Sequence, residues 1–547
     1  MLGCGSSTRA RPKSPYLLLS LFPRSSFIDS RLGRPLAFVG CGALMACSTP
    51  PMNVYPLAWI GLVGFYLLLR RDERHVGPGV GARLRYAGRG ALFGLVFGIG
   101  TNLVALRFVS TVVTHFAEVP GFVGPLSVVV IAAFEGLRLA IAGGVHRLLQ
   151  RAGAPRVLAF AAGIYAGTLM PSMIPWTVAC GACPWPVTVQ LAEVVGERGV
   201  ALLMALESAL AGEAIARAAW GDRSCAPRPA CLATGLLGLT LLYGSVRIHQ
   251  VDALRAAAPK ASVGLVVAGI EATERWNPLQ ALGIVERLTE LTKKVEAEGT
   301  DFVVWPEAAY PFTIQHTSRQ LPRGGVAIVQ PGVRGPILTG AILTGSQGKY
   351  NSAVVCGADG ALSEPYDKMH LMWFGEAVPF EEEIPWLRKA FARGVGLRAG
   401  EKQVALEAAT ARVAVLNCLE DILPAAGREA MEVRPNLLVN LTNDAWFAGT
   451  AESRYHLLLS RLRAVETRRD LLRAVNYGPT AWIDANGRIL GEISGDAPGV
   501  LHAEPALLEA PITPYARWGE WPLVVALGVG LAVSRAWLAR RNAAPTG

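Results

Sequence analysis

Four side chains in the second half of the chain could together carry out nucleophilic catalysis. Glu307 ends the apolar run "DFVVWPE", Lys368 and Glu376 lie in "YDKMHLMWFGE", and Cys418 follows the apolar run "RVAVLN". A thiol is a weak nucleophile until it loses its proton, so it needs a carboxylate that accepts the proton. An ammonium group can stabilise the negative charge that then develops. These residue types together indicate acyl transfer through a covalent intermediate.

Each of these residues, taken singly, also has a structural interpretation. A cysteine after an apolar strand is often a small buried hydrophobe, and Glu307 could cap a helix. Lys368, His370 and Glu376 could belong to a solvated loop. For His370 we keep that interpretation, as a loop residue that holds local geometry. The functional interpretation of the others requires elements that bring them together.

The segment from about 260 to 510 has the pattern of an α/β domain that can do this. The pattern at 277–299 predicts an amphipathic helix, and 480–493 predicts a hairpin with Asn486-Gly487 at its turn. Because reactive groups usually lie at strand ends in such sheets, we expect the candidate residues to converge there. Strands with polar ends are predicted by the apolar runs at 261–270, 300–312, 411–421 and 435–447.

The rest of the chain is apolar enough for a membrane protein. The mean hydropathy is +0.35, and 52% of the residues are hydrophobic while 17% are charged. Each candidate span has roughly 17–23 residues, about enough to cross the hydrocarbon layer as a helix, although the first and the seventh are short for a full crossing. Buried core helices are the alternative, disfavoured because so little polar surface separates the runs. The spans lie at 34–50, 53–70, 90–108, 123–145, 157–175, 199–216, 230–246 and 521–539.

The distribution of arginines predicts the orientation of these spans. Arginine clusters follow the second, fourth, sixth and eighth spans, whereas the alternate loops contain few, with Arg198 as an exception. Positive loops stay in the cytoplasm, so both termini should be cytoplasmic. The net charge of +10 then reflects topology rather than nucleic-acid binding. We predict a basic tail at 1–33, seven spans in 34–246, an extracytoplasmic catalytic domain at 247–520, and a last span with a cytoplasmic tail at 521–547.

Two of the nine cysteines form a C-x-x-C pair, Cys180 and Cys183, in "ACGACPW". One such pair lacks the second half of a zinc site. A disulfide in an oxidising compartment and two small residues in a tight loop both remain open.

The segments "VVWPEAAYPF", "YDKMHLMWFGEAVPF" and "NCLED", in this order, resemble the nitrilase superfamily, whose triad is glutamate, lysine and cysteine. Over residues 34–540 the chain resembles the membrane-embedded branch, the apolipoprotein N-acyltransferase family. Further segments that carry this resemblance are "RWNP", "YNSA", "NDAWF" and "TPYARWGEWPL". The resemblance implies a bundle of about eight membrane helices joined to a nitrilase-like αββα sandwich.

The resemblance also implies a role for each matching residue. It makes Glu307 the general base, Lys368 the cation that stabilises the tetrahedral intermediate, and Cys418 the nucleophile. Glu376 matches a supporting glutamate. Other positions tied to activity or substrate contact match Trp276, Glu420 and Trp446.

The reaction implied by the resemblance moves a fatty acyl chain from a phospholipid, often phosphatidylethanolamine, through a cysteine thioester. The acceptor is the α-amine of a diacylglyceryl-cysteine on a lipoprotein, in the last step of its maturation. The family works without a metal or other cofactor, as a monomer in the bacterial inner membrane, with its catalytic domain in the periplasm. A membrane-anchored nitrilase-type amidase and an inactive scaffold are the alternatives.

The chain departs from the family pattern near the site. Leu419 replaces the usual tyrosine, Trp373 replaces a proline, and Ala448 displaces a glycine to position 449. The triad is intact, so these departures bear on recognition of the lipid or the lipoprotein. The segment "MWF" at 372–374 is our candidate wall for a lipid route, because methionine and aromatic side chains make adaptable apolar contacts. Ordinary core packing is the alternative.

Overall fold

Long apolar runs form helices in the first half of the chain, and short apolar runs form strands in the second half. The chain is seen here in a computed structural model. The residues that it describes are 28, 30–73, 79–116, 120–220, 226–275, 277–321, 324–373, 375–378, 383–384 and 396–543.

The helices are numbered in chain order. They are α1 (Gly33–Ala46), α2 (Leu57–Arg71), α3 (Val80–Ala105), α4 (Phe108–Phe116), α5 (Val123–Arg151), α6 (Arg156–Thr168), α7 (Ala192–Trp220), α8 (Pro227–Ala257), α9 (Ala272–Arg275), α10 (Ala281–Glu296), α11 (Pro424–Ala430), α12 (Glu452–Thr467), α13 (Pro514–Trp518) and α14 (Trp521–Ala543). Short 3₁₀ helices lie at Val178–Ala182, Pro186–Thr188, Pro278–Gln280, Cys418–Ile422, Met431–Val433 and Ala445–Phe447.

The strands are likewise numbered in chain order. They are β1 (Val263–Val267), β2 (Phe302–Val304), β3 (Ile314–Gln315), β4 (Ile337–Gly345), β5 (Gly348–Cys356), β6 (Tyr366–Asp367), β7 (Ala405–Ala408), β8 (Ala411–Asn417), β9 (Leu437–Asn443), β10 (Leu471–Asn476), β11 (Thr480–Ile483), β12 (Ile489–Ile493) and β13 (Gly499–Ala503).

Each of the eight predicted spans contains a helix, although three of these helices are short. Within the described ranges, α3, α5, α7 and α8 are long and apolar enough to cross a membrane. By contrast, α1, α2 and α6 have only 14, 15 and 13 residues. The first span is thus short, as expected, whereas the expectation of a short seventh span is wrong, because α8 has 31 residues. Proline explains the difference, because it lacks the N–H group that a helix interior needs. The segment "STPPMNVYP" separates α1 from α2, and Pro171 and Pro175 follow α6.

Glycines allow α3 and α5 to approach closely in the bundle. Gly90, Gly94 and Gly98 recur at intervals of four along α3 and face α5. A Cβ atom on Gly94 would lie 2.0 Å from the carbonyl oxygen of Leu139. Small residues at this spacing are typical of helix pairs in membranes, where close backbone packing replaces the hydrophobic effect.

Two sheets pack face to face in the second half of the chain. The first has the order β13-β1-β2-β4-β5-β6, with β3 also paired to β4, and the second has the order β12-β11-β10-β9-β8-β7. Buried apolar side chains from both sheets form one core, while α10 covers the first sheet, and α11 and α12 cover the second. This arrangement confirms the predicted fold class, a multi-span helical bundle joined to an αββα sandwich.

Parallel pairing brings several strand ends to one edge. In the first sheet β1, β2 and β4 run parallel, and in the second β8, β9 and β10 run parallel. The predicted hairpin at 480–493 is confirmed as the antiparallel pair β11–β12. The carboxyl ends of the parallel strands therefore form a common edge that is available for chemistry.

The C-x-x-C pair lies in a tight turn rather than a disulfide. Cys180 and Cys183 are both buried free thiols at the 3₁₀ helix Val178–Ala182. The thiol of Cys180 donates a hydrogen bond to the carbonyl oxygen of Thr177 at 2.7 Å. Of the two interpretations left open by the sequence, the structure favours the tight loop.

Helix α12 joins the sandwich to the bundle. Its apolar residues, including Tyr455 and Leu462, lie in the same buried cluster as residues of α1, α2 and α7. Arg463 on α12 is fully buried, with its guanidinium nitrogens 2.9 Å from a carboxylate oxygen of Glu197 on α7 and 3.0 Å from one of Glu466. It also donates to the carbonyl oxygen of Ile422 at 3.0 Å. One arginine thus contacts the bundle, α12 and the turn that follows Cys418.

A break in α7 exposes the backbone that completes this contact. Gly196 has φ 68° and ψ 177°, outside the helical region and in a conformation that favours glycine. The backbone N–H of Glu197 is therefore free of the helix ladder and donates to the Glu466 carboxylate at 2.7 Å.

We expect Arg463→Ala to destabilise the protein strongly. The substitution leaves the carboxylate of Glu197 buried without its cation, which typically costs about 3–5 kcal/mol. Arg454→Ala is the matched control on the same helix, because Arg454 pairs with Glu492 but its side chain is 52% exposed. Exposed pairs contribute about 0–1 kcal/mol. Melting temperatures in detergent should fall markedly for the first variant only; equal melting temperatures would contradict the structural role of Arg463.

Candidate active site

The candidate site lies where strands of the two sheets end. Glu307 follows β2 by three residues, Lys368 directly follows β6, and Cys418 directly follows β8. The chain can turn closely after β2 because Gly340 on β4 has no side chain. A Cβ atom there would lie 2.4 Å from the backbone nitrogen of Ala308. These turns bring all three predicted triad residues into one region of the sandwich.

Three of the predicted site residues form a buried charged cluster. The Lys368 ammonium nitrogen lies 3.2 Å from Oε1 of Glu307 and 2.7 Å from Oε2 of Glu376. The side-chain amide of Asn351 donates to both carboxylates, at 2.7 Å to Glu307 and 2.8 Å to Glu376. The backbone N–H of Asn443 donates to the other oxygen of Glu307 at 3.0 Å. Every charge in this cluster therefore has an opposite charge or a hydrogen-bond donor beside it.

The environment shifts the pKa values of the two glutamates in opposite directions. Burial raises the pKa of Glu307, and although Lys368 lowers it, Glu376 raises it further, with a net upward shift. Burial also acts to raise the pKa of Glu376, but Lys368 and neighbouring donors outweigh it and lower the pKa. Glu376 is thus the ionised partner of Lys368, and Glu307 is the better proton acceptor.

Lys368 remains charged in spite of its burial. Burial alone would lower its pKa, but the carboxylates of Glu307 and Glu376 raise it well above the ordinary value. A permanent ammonium group inside the protein can stabilise an oxyanion more effectively than one in water.

Cys418 is held in a strained backbone conformation. Its φ is 54°, in the left-handed region that non-glycine residues rarely adopt and that costs on the order of 1–3 kcal/mol. Burial, followed by the charge of Glu307, raises the pKa of its thiol well above the usual range, although Lys368 lowers it. The thiol is therefore protonated at neutral pH, and its activation needs a base during the reaction.

Glu420 ties the turn that follows β8 to the lysine segment. One of its buried carboxylate oxygens accepts from the backbone N–H of Asn417 at 2.6 Å and from the hydroxyl of Tyr366 at 2.7 Å. The other accepts from the backbone N–H groups of Met369 and His370, at 2.8 and 3.0 Å. Glu420 thus fixes Cys418 and Lys368 relative to each other through the backbone on both sides.

The other predicted residues differ in how they relate to this cluster. Trp373 is 50% exposed, which excludes the alternative that it packs in the core. Trp446 is half-buried in the 3₁₀ helix directly after Asn443 and Asp444. Trp276 lies outside the described residues. The imidazole of His370 points to Glu429, with Nε2 at 2.7 Å from its carboxylate, in agreement with a role in local geometry.

Sequence reasoning missed Asn351 as a site residue. It lies in the middle of β5, and besides its contacts with the two glutamates it accepts from the side-chain amide of Asn417 at 3.2 Å. The signal was available, since an asparagine within the strand "KYNSAVVC" is a polar group among buried neighbours that must find partners.

Two family models match the chain in order. The apolipoprotein N-acyltransferase N-terminal domain matches residues 41–210, and the carbon-nitrogen hydrolase domain matches residues 262–507. A carbon-nitrogen hydrolase superfamily protein of known structure from Xanthomonas campestris is 19% identical, with a TM-score of 0.34, over 45% of this chain and 91% of that chain.

Named relatives extend over nearly the whole chain. The apolipoprotein N-acyltransferase of Bradyrhizobium diazoefficiens is 30% identical over 530 residues, 92% of this chain and 95% of that protein. That of Geobacter metallireducens is 29% identical over 517 residues, 90% of this chain and 94% of that protein. Both halves of the chain are included in these similarities, and the chain belongs to the apolipoprotein N-acyltransferase family.

Proposed function

We propose that this membrane protein transfers a fatty acyl chain from a phospholipid to the amino-terminal amine of a diacylglyceryl-cysteine on a lipoprotein. The observation that carries the proposal is the cluster of Glu307, Lys368 and Glu376 beside the turn of Cys418, in a sandwich that packs on a membrane bundle. Family membership supports the same reaction.

In the first half-reaction the sulfur of Cys418 attacks the ester carbonyl of the phospholipid. Glu307 accepts the thiol proton as the carbon–sulfur bond forms. Lys368 stabilises the negative oxygen of the tetrahedral intermediate, an interaction typically worth about 3–4 kcal/mol, or roughly 10²–10³ in rate. The carbon–oxygen bond then breaks, and protonated Glu307 returns its proton to the leaving lysophospholipid oxygen. The acyl chain remains on Cys418 as a thioester.

In the second half-reaction the lipoprotein amine attacks the thioester. Glu307 takes the proton from the attacking nitrogen, and Lys368 again stabilises the tetrahedral oxygen. Collapse forms the amide and expels the Cys418 sulfur, which regains a proton from Glu307. Two transfers through one sulfur correspond to ping-pong kinetics.

A lipid route from the bundle to the thiol follows from the apolar residues at the junction. The Phe447 ring lies in the turn after β9 with its centroid 6.5 Å from that of Phe108 on α4. The half-exposed indole of Trp373 offers an apolar surface three residues before Glu376 in the chain. We infer that the acyl chain enters between these aromatic side chains. Phosphatidylethanolamine as donor and a monomeric enzyme remain part of the proposal.

The proposed location is the bacterial inner membrane. The arginine-rich segments would lie in the cytoplasm with both termini, and the sandwich would lie in the periplasm, where the lipoprotein amine is presented. The support for this orientation is the asymmetry in arginine content between alternate loops.

Cys418→Ala should abolish the acyl-enzyme. Incubation with a phospholipid that carries a labelled acyl chain should label the wild type, and hydroxylamine should release the label. Cys356→Ala is the control, since Cys356 is a buried free thiol of the same sandwich. Cys418→Ser should form a slowly transferred ester. Hydroxylamine-sensitive label on Cys418→Ala would show that another residue is the nucleophile, and label that passes to water as fast as to a lipopeptide amine would indicate a hydrolase.

Trp373→Ala should slow acyl-enzyme formation without a comparable loss of stability. Removal of an apolar contact with the acyl chain corresponds to about 10-fold in rate, or about 1.4 kcal/mol. Trp518→Ala is the exposure-matched control, since that indole is 53% exposed. Acylation rates and melting temperatures in detergent are the measurements; parallel losses in both, or equal rates for the two variants, would refute the lipid wall.

Reporter fusions at two positions of the chain should lie on opposite sides of the membrane. A fusion after Arg74 lies in the first arginine-rich segment, and a fusion after Gly360 lies in the sandwich. We expect a cytoplasmic signal from the first and a periplasmic signal from the second, as the arginine asymmetry requires. The same signal from both fusions would overturn the proposed orientation.

A further inference from the structure

A second cluster of buried titratable side chains lies beneath the candidate site. Asp421 belongs to the 3₁₀ helix that begins at Cys418, and Asp444 directly follows Asn443. Both carboxylates are fully buried, and each lies close in sequence to a residue that holds the proposed catalytic groups. Their common neighbour is His456 on α12, which is also buried.

The imidazole of His456 bridges the two carboxylates. Its Nε2 lies 2.8 Å from Oδ1 of Asp421, and its Nδ1 lies 3.3 Å from Oδ1 of Asp444. A neutral imidazole has one N–H group and can donate to only one carboxylate at a time, whereas an imidazolium donates from both nitrogens. The geometry therefore fits the charged form.

The charges around His456 balance when it is protonated. Arg473 on β10 pairs with Asp421, and Glu452 lies one turn before His456 on α12. Burial alone would lower the pKa of His456, but Asp421 and Asp444 raise it to about 10. Burial and Asp444 raise the pKa of Glu452 to about 8, so this carboxyl is mostly protonated at neutral pH. Two cations then face two carboxylates.

We propose that His456, as an imidazolium, is a positioning residue that holds the nucleophile turn against the turn that binds the general base. Asp421 lies three residues after Cys418, and His456 connects it to Asp444 by hydrogen bonds. Asn443, directly before Asp444, donates its backbone N–H to Glu307. The inference rests on the proposed function, because it assumes that Cys418 and Glu307 react with each other.

A divalent cation is the competing occupant of this cluster. Asp444, Glu452 and His456 offer ligand atoms that lie within 4.8 Å of one another. One buried oxygen of Asp444 has no hydrogen-bond partner among the described residues. Metal binding would require His456 to give up the Nδ1 proton that faces Asp444. The two hypotheses thus assign opposite protonation states to the same nitrogen.

Two substitutions of His456 each remove one of its two hydrogen bonds, to Asp444 or to Asp421. In His456→Gln the amide nitrogen can take the position of Nε2 and contact Asp421 only, and in His456→Asn it can take the position of Nδ1 and contact Asp444 only. We expect both variants to slow acyl-enzyme formation about 100-fold, the usual consequence of a small misplacement of reacting groups. The loss should appear in the rate at saturating phospholipid, because the reacting groups are misplaced. A change in the half-saturating concentration alone would contradict the proposal, since Phe447 of the lipid route directly follows the Asp444 turn.

Loss of the cation could also unfold the protein, so a charge-balanced variant is needed. Asp444→Asn/His456→Gln removes one charge of each sign and should fold while it still lacks the bridge. His502→Gln is the control, because His502 on β13 does not belong to the cluster. Its Nε2 lies 2.7 Å from the hydroxyl oxygen of Ser262. Rates are measured per folded molecule, with folding judged by the melting temperature in detergent.

Wild-type acylation rates in the folded double variant would overturn the proposal. So would zinc or another divalent metal in the purified wild type, measured by elemental analysis, that disappears in His456→Gln. Failure of the proposed function gives a different result, since label would then remain on Cys418→Ala whatever residue stands at 456.

Discussion

Buried ion pairs hold the two halves of the molecule together, and the one formed by Arg463 also reaches the nucleophile turn. Arg463 contacts a carboxylate of the bundle, a carboxylate of its own helix and the backbone of Ile422 in the nucleophile turn. A buried guanidinium is stable only with partners on every side, because the desolvation of an unpaired charge is costly. Arg463 therefore links the packing of the sandwich on the membrane bundle to the turn that carries Cys418.

The site itself follows a related rule. Lys368 can remain charged inside the protein because the carboxylates of Glu307 and Glu376 lie beside it, and Asn351 orients both glutamates. Burial and the charge of Glu376 raise the pKa of Glu307, which suits it to proton transfer. A second glutamate is thus needed for electrostatic balance even though it exchanges no proton in the proposed reaction.

Much of this arrangement could be predicted from the sequence, and the rest required long-range contacts. Apolar runs and turn residues predicted the bundle, an α/β domain and the strand ends that carry Glu307 and Cys418, and the family resemblance implied the sandwich. The apolar runs predicted a short first span but not that α2 and α6 would be short, because hydropathy alone does not register the prolines at their ends. Asn351 and His456 were missed because their importance lies in partners from distant strands and turns, which periodicity does not reveal.

The left-handed backbone of Cys418 has a consequence for how the chain balances stability against activity. Glycine adopts φ 54° without strain, so selection for stability alone would favour glycine at position 418. A cysteine persists there only while the chemistry of its sulfur is required. A descendant of this protein that no longer needed catalysis would be expected to lose its nucleophile early, and to become more stable as it did so.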